Sequence, residues 1–80
     1  MNQKLAFQET VALAERVGMP LLSGSSWGLE HLRQMLWQVE SVGFSDDKLG
    51  RWLGWAQCAL VSSNCGVTLD DMRKLNASLF

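Results

Sequence analysis

The strongest constraint on the fold of this chain is the helical spacing of its apolar residues. Apolar side chains recur at intervals of three and four residues in four separate segments, as on one face of an α-helix. No segment shows the strict apolar–polar alternation that is typical of a half-buried strand. The pattern predicts an all-α fold, a single domain over residues 1–80, and four helices at about 3–17, 26–42, 46–63 and 69–77.

The first two predicted helices are amphipathic. Gly18 is placed to end the first helix, Pro20 prevents its continuation, and Gly43 ends the second. Trp37 lies off the apolar face of the second helix. It predicts a contact with another element or subunit, or a ring partly covered by the Arg33 stem. The predicted apolar faces comprise Ala6, Phe7, Val11, Leu13, Ala14 and Val17, and then Leu29, Leu32, Met35, Leu36, Val39 and Val42.

The third predicted helix is the most apolar of the four. Ser45 is a favourable N-cap, and Asp46 and Asp47 follow it where the helix dipole favours carboxylates. Beyond Lys48 the only charged residue in this helix is Arg51, so we expect the helix to be central and buried. Its predicted packing ridge consists of Leu49, Leu53, Ala56 and Leu60, flanked by Trp52 and Ala59.

A glycine-containing turn separates the third helix from the short fourth one. We expect Gly66 to adopt the left-handed conformation. Thr68 is expected to cap the fourth helix in a capping box with Asp71. The predicted packing face of this helix is formed by Leu69, Met72 and Leu75.

Small residues four apart form a second ridge on the third helix, comprising Gly50, Gly54, Cys58 and Ser62. A glycine inside a helix lowers the stability of the helix by about 1 kcal/mol relative to alanine, so two glycines in this ridge indicate a packing or functional role. One interpretation is close packing, inside the domain or between subunits. The other is a ligand pocket lined by the backbone at Gly54. Lys48 and Arg51 would supply positive charge to it and Trp52 or Trp55 a stacking face, an arrangement that suits a nucleotide.

Composition favours self-association. The 80 residues are 48% hydrophobic and only 19% charged, and they include four tryptophans. A domain of this size buries only a modest core. We therefore expect a homo-oligomer, assembled through the third helix and Trp37. The predicted interface residues are Trp37, Trp52, Gly50 and Cys58.

Residues capable of catalysis are few and isolated. His31 has no carboxylate or nucleophile at a telling spacing and is expected at the surface. Cys58, in the middle of a helix, is expected to be a buried small hydrophobe, and Cys65 to be more exposed. The chain has no phosphate-binding glycine loop and no metal-ligand motif. We expect no enzyme, no catalytic residue, no cofactor and no metal.

Nucleic acids and membranes are disfavoured as partners. The formal net charge is −1, and Asp70 and Asp71 at the start of the fourth helix would repel DNA phosphate. No apolar stretch approaches the ~20 residues of a membrane span, and no signal-peptide pattern is present. The two cysteines form no disulfide framework. These features predict a cytoplasmic protein.

Residues 48–76, "KLGRWLGWAQCALVSSNCGVTLDDMRKLN", resemble the C-terminal half of small uncharacterised proteins of tailed phages and prophages. Those proteins carry an R-W-L-G-[WF]-x-Q-G-x-L run, a glycine-containing turn and a short helix ending in asparagine. Cys58 departs from the pattern, since glycine is commoner there, and it narrows the strip of small residues. The matching residues of the run are Arg51, Trp52, Leu53, Gly54, Trp55, Gln57 and Leu60.

The resemblance implies a phage or prophage accessory protein, acting in the cytoplasm of a bacterial host. Such proteins include small helical oligomers that counter host defence. One expectation is that the chain sequesters a nucleotide-type immune signal, such as a cyclic nucleotide or an ADP-ribose derivative, in a pocket at or near a subunit interface. The alternative is a helical adaptor or inhibitor that binds a host protein and takes no small ligand.

Overall fold

The computed structural model describes residues 2–79, which form four α-helices. Helix α1 spans Gln3–Arg16, α2 Leu29–Ser41, α3 Asp46–Ser62 and α4 Leu69–Ala77. No strand occurs between residues 2 and 79. The predicted all-α class and the four helices are therefore confirmed.

Side chains at the starts of α3 and α4 supply the hydrogen bonds that the sequence predicts. Ser45 Oγ accepts a hydrogen bond from the backbone N–H of Lys48 at 3.3 Å. Thr68 Oγ1 accepts from the N–H of Asp71 at 3.1 Å, and the Asp71 carboxylate accepts from the N–H of Thr68 at 2.9 Å. The capping box is therefore present. The backbone N–H of Thr68, followed by its hydroxyl, holds the pKa of the Asp71 carboxyl below its usual value.

The end of α1 is a Schellman motif. Gly18 has a φ of +77°, as its predicted role requires. Its N–H donates to the carbonyl of Glu15 at 3.3 Å, and the N–H of Met19 donates to the carbonyl of Ala14 at 3.0 Å. Because Met19 is buried, the motif turns the chain back onto the core.

Helix α1 lies at the centre of the packing. It contacts both α2 and α3, whereas α2 and α3 contact each other less extensively and α4 packs mainly against α3. The result is a flat molecule that measures 28 × 27 × 17 Å. The buried apolar side chains are those of Ala6, Phe7, Val11, Ala14, Met19, Leu29, Leu32, Met35, Val39, Leu49, Leu53, Ala56, Ala59, Leu60, Val67 and Met72.

The prediction that α3 is buried on nearly all sides is wrong. Arg51, Gly54, Trp55 and Cys58 are exposed, because α1 covers one face of α3 and the opposite face meets water. A Cβ atom added at Gly54 would meet no atom within 4 Å, so no backbone of this chain approaches that position. At Gly50 the neighbour is a side chain, since an added Cβ would lie 2.7 Å from Oε1 of Gln3.

Helix α2 begins at Leu29 instead of near residue 26. The loop after α1 folds back onto the start of α2, because the N–H of Leu29 donates to the carbonyl of Pro20 at 2.8 Å. Gly28 is the N-cap and has no room for a side chain. An added Cβ would contact the carbonyl oxygen of Leu21 and lie 2.6 Å from Cβ of Leu22.

Two residues predicted to pack in the core are exposed. Val42, 52% exposed, is the C-cap of α2 and has an extended backbone, so its side chain leaves the helical face. Leu69, 69% exposed, faces a groove between α3 and α4, where Gly54 and Cys58 are too small to reach it. In the turn before α4, Gly66 has the predicted positive φ of +84°.

A buried hydrogen-bond network ties α4 to α3 and α1. Nε2 of Gln57 donates to Oγ1 of Thr10 at 3.2 Å and to Oδ1 of Asn76 at 2.8 Å. Nδ2 of Asn76 donates in return to Oε1 of Gln57 at 3.1 Å. Thr10, which is completely buried, donates to the carbonyl of Ala6 at 2.7 Å. Gln57 is nine-tenths buried, and this reciprocal amide pairing satisfies it without water.

Candidate interaction surface

The side of α3 next to α2 presents an aromatic cluster. The rings of Phe44 and Trp52 meet edge to face, with centroids 4.7 Å apart. Nζ of Lys48 lies 4.3 Å from the centre of the Phe44 ring and 5.5 Å from that of Trp52. These distances are those of cation–π contacts, so the aromatic rings hold the ammonium group at this end of α3.

A second aromatic pair joins α3 to the loop before α2. The ring centroids of Trp27 and Trp55 are 4.5 Å apart and their planes are tilted by 38°. Trp27 remains 45% exposed and Trp55 36% exposed. Two indoles therefore stack on each other while both keep a large face towards water.

A groove of about 300 Å³ runs between α2 and α3. Met35 is buried and supplies an apolar floor, while the α2 rim is polar and contains no carboxylate, lysine or arginine. An apolar floor with a polar rim is the usual make-up of a binding groove. The lining residues are His31, Gln34, Met35, Gln38, Trp52 and Trp55.

A second groove, of about 270 Å³, adjoins the first one at the tryptophan pair. Trp55 lines the first groove and Trp27 the second, and the two rings are in contact. The apolar surface is therefore continuous across both grooves. We name it the aromatic strip, and it consists of Trp52, Trp55, Trp27 and Leu22.

The largest of the three grooves lies between α3 and α4 and has a volume of about 540 Å³. Gly54 and Cys58 form its α3 side, and exposed Leu69 and Arg73 are on its α4 side. Arg73 is already within 3.5 Å of the Asp70 carboxylate. This groove and the aromatic strip lie on two different sides of α3.

The four predicted ligand-binding residues do not converge on one pocket. Trp55 lines the groove between α2 and α3, and Lys48 contacts Trp52 at its edge. Gly54 lines the other groove, between α3 and α4. Arg51 is exposed and lines none of the three grooves. Its exposure contradicts the prediction that the third helix is central and buried.

The predicted interface residues are dispersed as well. Trp52 belongs to the aromatic strip, Cys58 to the groove beside α4, and Gly50 to the contact with Gln3. Trp37 is 67% exposed and lines none of the grooves.

Trp37 lies one turn from two residues that bond to α1. Nε of Arg33 is 3.0 Å from a carboxylate oxygen of Glu15, and Glu40 accepts from Gln8 at 3.0 Å. The side chain of Trp37 therefore points to the α1 side of α2, away from the aromatic strip.

Cys58 is exposed and Cys65 is the more covered thiol, the reverse of the prediction.

Two features were not assigned a role from sequence. Trp27 falls at the start of the predicted second helix, near residue 26. A single tryptophan among serines and glycines was the available signal that it makes a contact in the folded chain. Gln57 lies between Leu53 and Leu60 on the core face of α3, and a glutamine on an apolar ridge signals a buried polar contact.

No group of three or more potential metal ligands occurs between residues 2 and 79. Among these residues no helix is both long enough and apolar enough to cross a membrane. No protein-family model, curated protein sequence or solved structure matches the chain.

Proposed function

We propose that the chain is a non-catalytic binding protein that recognises a segment of another protein on the aromatic strip. The observation that carries this proposal is the continuity of three partly exposed indoles across two adjoining grooves. Contiguous apolar surface of this kind marks interaction sites, and tryptophan is the residue type most enriched at energetic hot spots of protein interfaces.

The composition of the strip also favours a protein partner. Met35 at the floor of the α2–α3 groove is flexible and can adapt to the side chains of a ligand. His31, Gln34 and Gln38 along the rim provide hydrogen-bonding groups without fixed charge. This combination of an apolar centre and a polar edge matches the anatomy of protein–protein interfaces.

The competing hypothesis is sequestration of a nucleotide-type signal, which depends on Arg51 acting together with Trp55 and Gly54. A nucleotide site needs a positive group aimed at the phosphate beside a stacking face. Arg51 lines none of the grooves, and Gly54 lines another groove than Trp55. Only Trp55 and Lys48 of the four predicted residues lie at the same groove, and this incomplete set favours a protein ligand over a nucleotide.

The resemblance of residues 48–76 to phage and prophage proteins supports a host protein as the partner. In this proposal the chain is an accessory protein that blocks a component of host defence in the bacterial cytoplasm. A homo-oligomer formed through the aromatic strip would compete with the host protein for the same surface, so it is a separate hypothesis. Trp37 lies on another side of α2 and would need a second, separate interface.

The proposal is tested by selecting binders from a displayed library of random 20-residue peptides on the wild-type protein. The selected peptides are then measured against Trp55→Ala and Trp37→Ala, after circular dichroism has shown that both variants are folded. Trp37 is the matched control, because it is a more exposed tryptophan outside the strip. We expect Trp55→Ala to weaken binding at least tenfold and Trp37→Ala to leave it within twofold. Peptides whose affinity is insensitive to Trp55→Ala, or the recovery of no binders, would overturn the proposal.

A further inference from the structure

The positive charges beside the aromatic strip lack carboxylate partners within the described chain. Arg33, Arg73 and Lys74 each have a carboxylate oxygen within 3.5 Å. Lys48 and Arg51 form no such ion pair with residues 2–79. Both are exposed, on the same helix as Trp52 and Trp55.

The lining of the strip is free of negative charge, although exposed Asp46 and Asp47 precede Lys48 on α3. No aspartate or glutamate is among the residues that line the two grooves of the strip. A ligand on the strip therefore meets apolar rings in the middle and, at one end, the Lys48 ammonium over the rings of Phe44 and Trp52. Electrostatic complementarity favours a ligand that carries carboxylates there, and it disfavours a basic one.

The backbone architecture decides which conformation of the ligand fits. Residues 2–79 contain no strand and so offer no sheet edge to which a peptide strand could be added. The two grooves extend along α3 from Trp52 to Ser63, a length of about 16 Å at 1.5 Å per residue. An α-helix of about three turns has the same length.

We propose that the partner segment is an acidic amphipathic α-helix of about three turns. The inference rests on the proposed function and deepens it. The apolar face of this helix lies along Trp52, Trp55 and Trp27, and a carboxylate at its end pairs with Lys48. Lys48 is already positioned for this contact, since its ammonium group is held over the rings of Phe44 and Trp52.

The test uses two designed 18-residue peptides with identical leucines at positions i, i+4, i+7 and i+11. One carries glutamate at all flanking charged positions and the other lysine. Fluorescence anisotropy with the full-length protein gives the two dissociation constants at low and at high salt. We expect the acidic peptide to bind at least tenfold more tightly at low salt. Because salt screens exposed charges, this ratio should shrink at high salt.

Variants identify the positive group responsible. Lys48→Gln should reduce the preference for the acidic peptide severalfold. Arg73 is an exposed arginine on α4 that is paired with Asp70, so Arg73→Gln should not change the preference for the acidic peptide. Equal affinity for both peptides, or a preference unaffected by Lys48→Gln, would overturn the inference.

The controls separate failure of the inference from failure of the proposed function. Selected peptides that depend on Trp55 but show no charge preference would refute only the acidic helix. Absence of any ligand that depends on Trp55 would refute both. Sedimentation equilibrium of the protein alone tests whether a second copy of the chain occupies the strip. Self-association that Trp55→Ala abolishes would place a second copy on the strip and overturn the inference.

Discussion

Replacement of Gln57 by leucine should destabilise the fold although it adds apolar surface to the core. The change removes three hydrogen bonds, of 2.8, 3.1 and 3.2 Å. Each bond contributes about 1 kcal/mol net, and the amide of Asn76 is left without its partner at a further cost of about 1–3 kcal/mol. Because the leucine offsets part of this loss, we expect the free energy of unfolding to fall by about 2–4 kcal/mol. The total free energy of unfolding of an 80-residue domain is only roughly 4–12 kcal/mol.

Urea denaturation followed by tryptophan fluorescence measures the effect. Gln34→Leu is the matched control, since Gln34 is exposed, and it should change the free energy of unfolding by less than about 0.5 kcal/mol. The double variant Gln57→Leu with Asn76→Leu removes both amides and should recover part of the loss. The reasoning would be refuted if Gln57→Leu cost no more than Gln34→Leu, or if the double variant lost the full sum of the two single changes.

Four further predictions concern single positions. Gly54→Ala should raise the free energy of unfolding by about 0.5–1 kcal/mol, because its Cβ enters open space. Gly28→Ala should lower the free energy of unfolding by about 1–3 kcal/mol through collision with the loop backbone. A lower Tm for Gly54→Ala would show that the site is not open. The lowered pKa of Asp71 means that the ionised cap stabilises the fold above the ordinary carboxyl pKa, and that this contribution disappears as pH falls through the folded-state pKa. Asp71→Asn should remove this part of the acid dependence, and an NMR titration giving Asp71 an ordinary or raised pKa would contradict it. Finally, Arg51→Ala should leave the Tm almost unchanged, because Arg51 is exposed. Calorimetric titration with cyclic nucleotides and ADP-ribose isomers should detect no binding to wild type, and micromolar binding that Arg51→Ala abolishes would restore the nucleotide hypothesis.

The helices and their ends could be predicted because their causes are local. Ser45, Thr68 and Gly18 each act on backbone groups within a few residues, so the sequence around them contains the whole interaction. The start of α2 was misplaced because its limits depend on a longer loop. The carbonyl of Pro20 accepts from Leu29, nine positions later, and no local pattern announces that bond.

The burial of α3 could not be read from its composition alone. A composition rich in apolar residues and glycine is compatible with a helix at the centre of a domain. It is equally compatible with a helix that has one solvent-exposed face. The choice depends on how α1 is placed relative to α2 and α3, which is a long-range property. The same limit applies to the site: Trp52, Trp55 and Lys48 were singled out, but Trp27 reaches Trp55 only through the folded loop.

The attachment of α4 has a consequence for how the molecule opens. Of its nine residues only Met72 is buried, and the helix packs mainly against α3. Stability within a fold is uneven, and segments with few buried apolar contacts separate at the lowest free energy. The hydrogen bonds between Gln57 and Asn76 therefore hold α4, the helix with the fewest buried residues, against α3. Amide protons of α4 should exchange with solvent by a local opening in which α1, α2 and α3 stay assembled, and the aromatic strip stays intact while they do so.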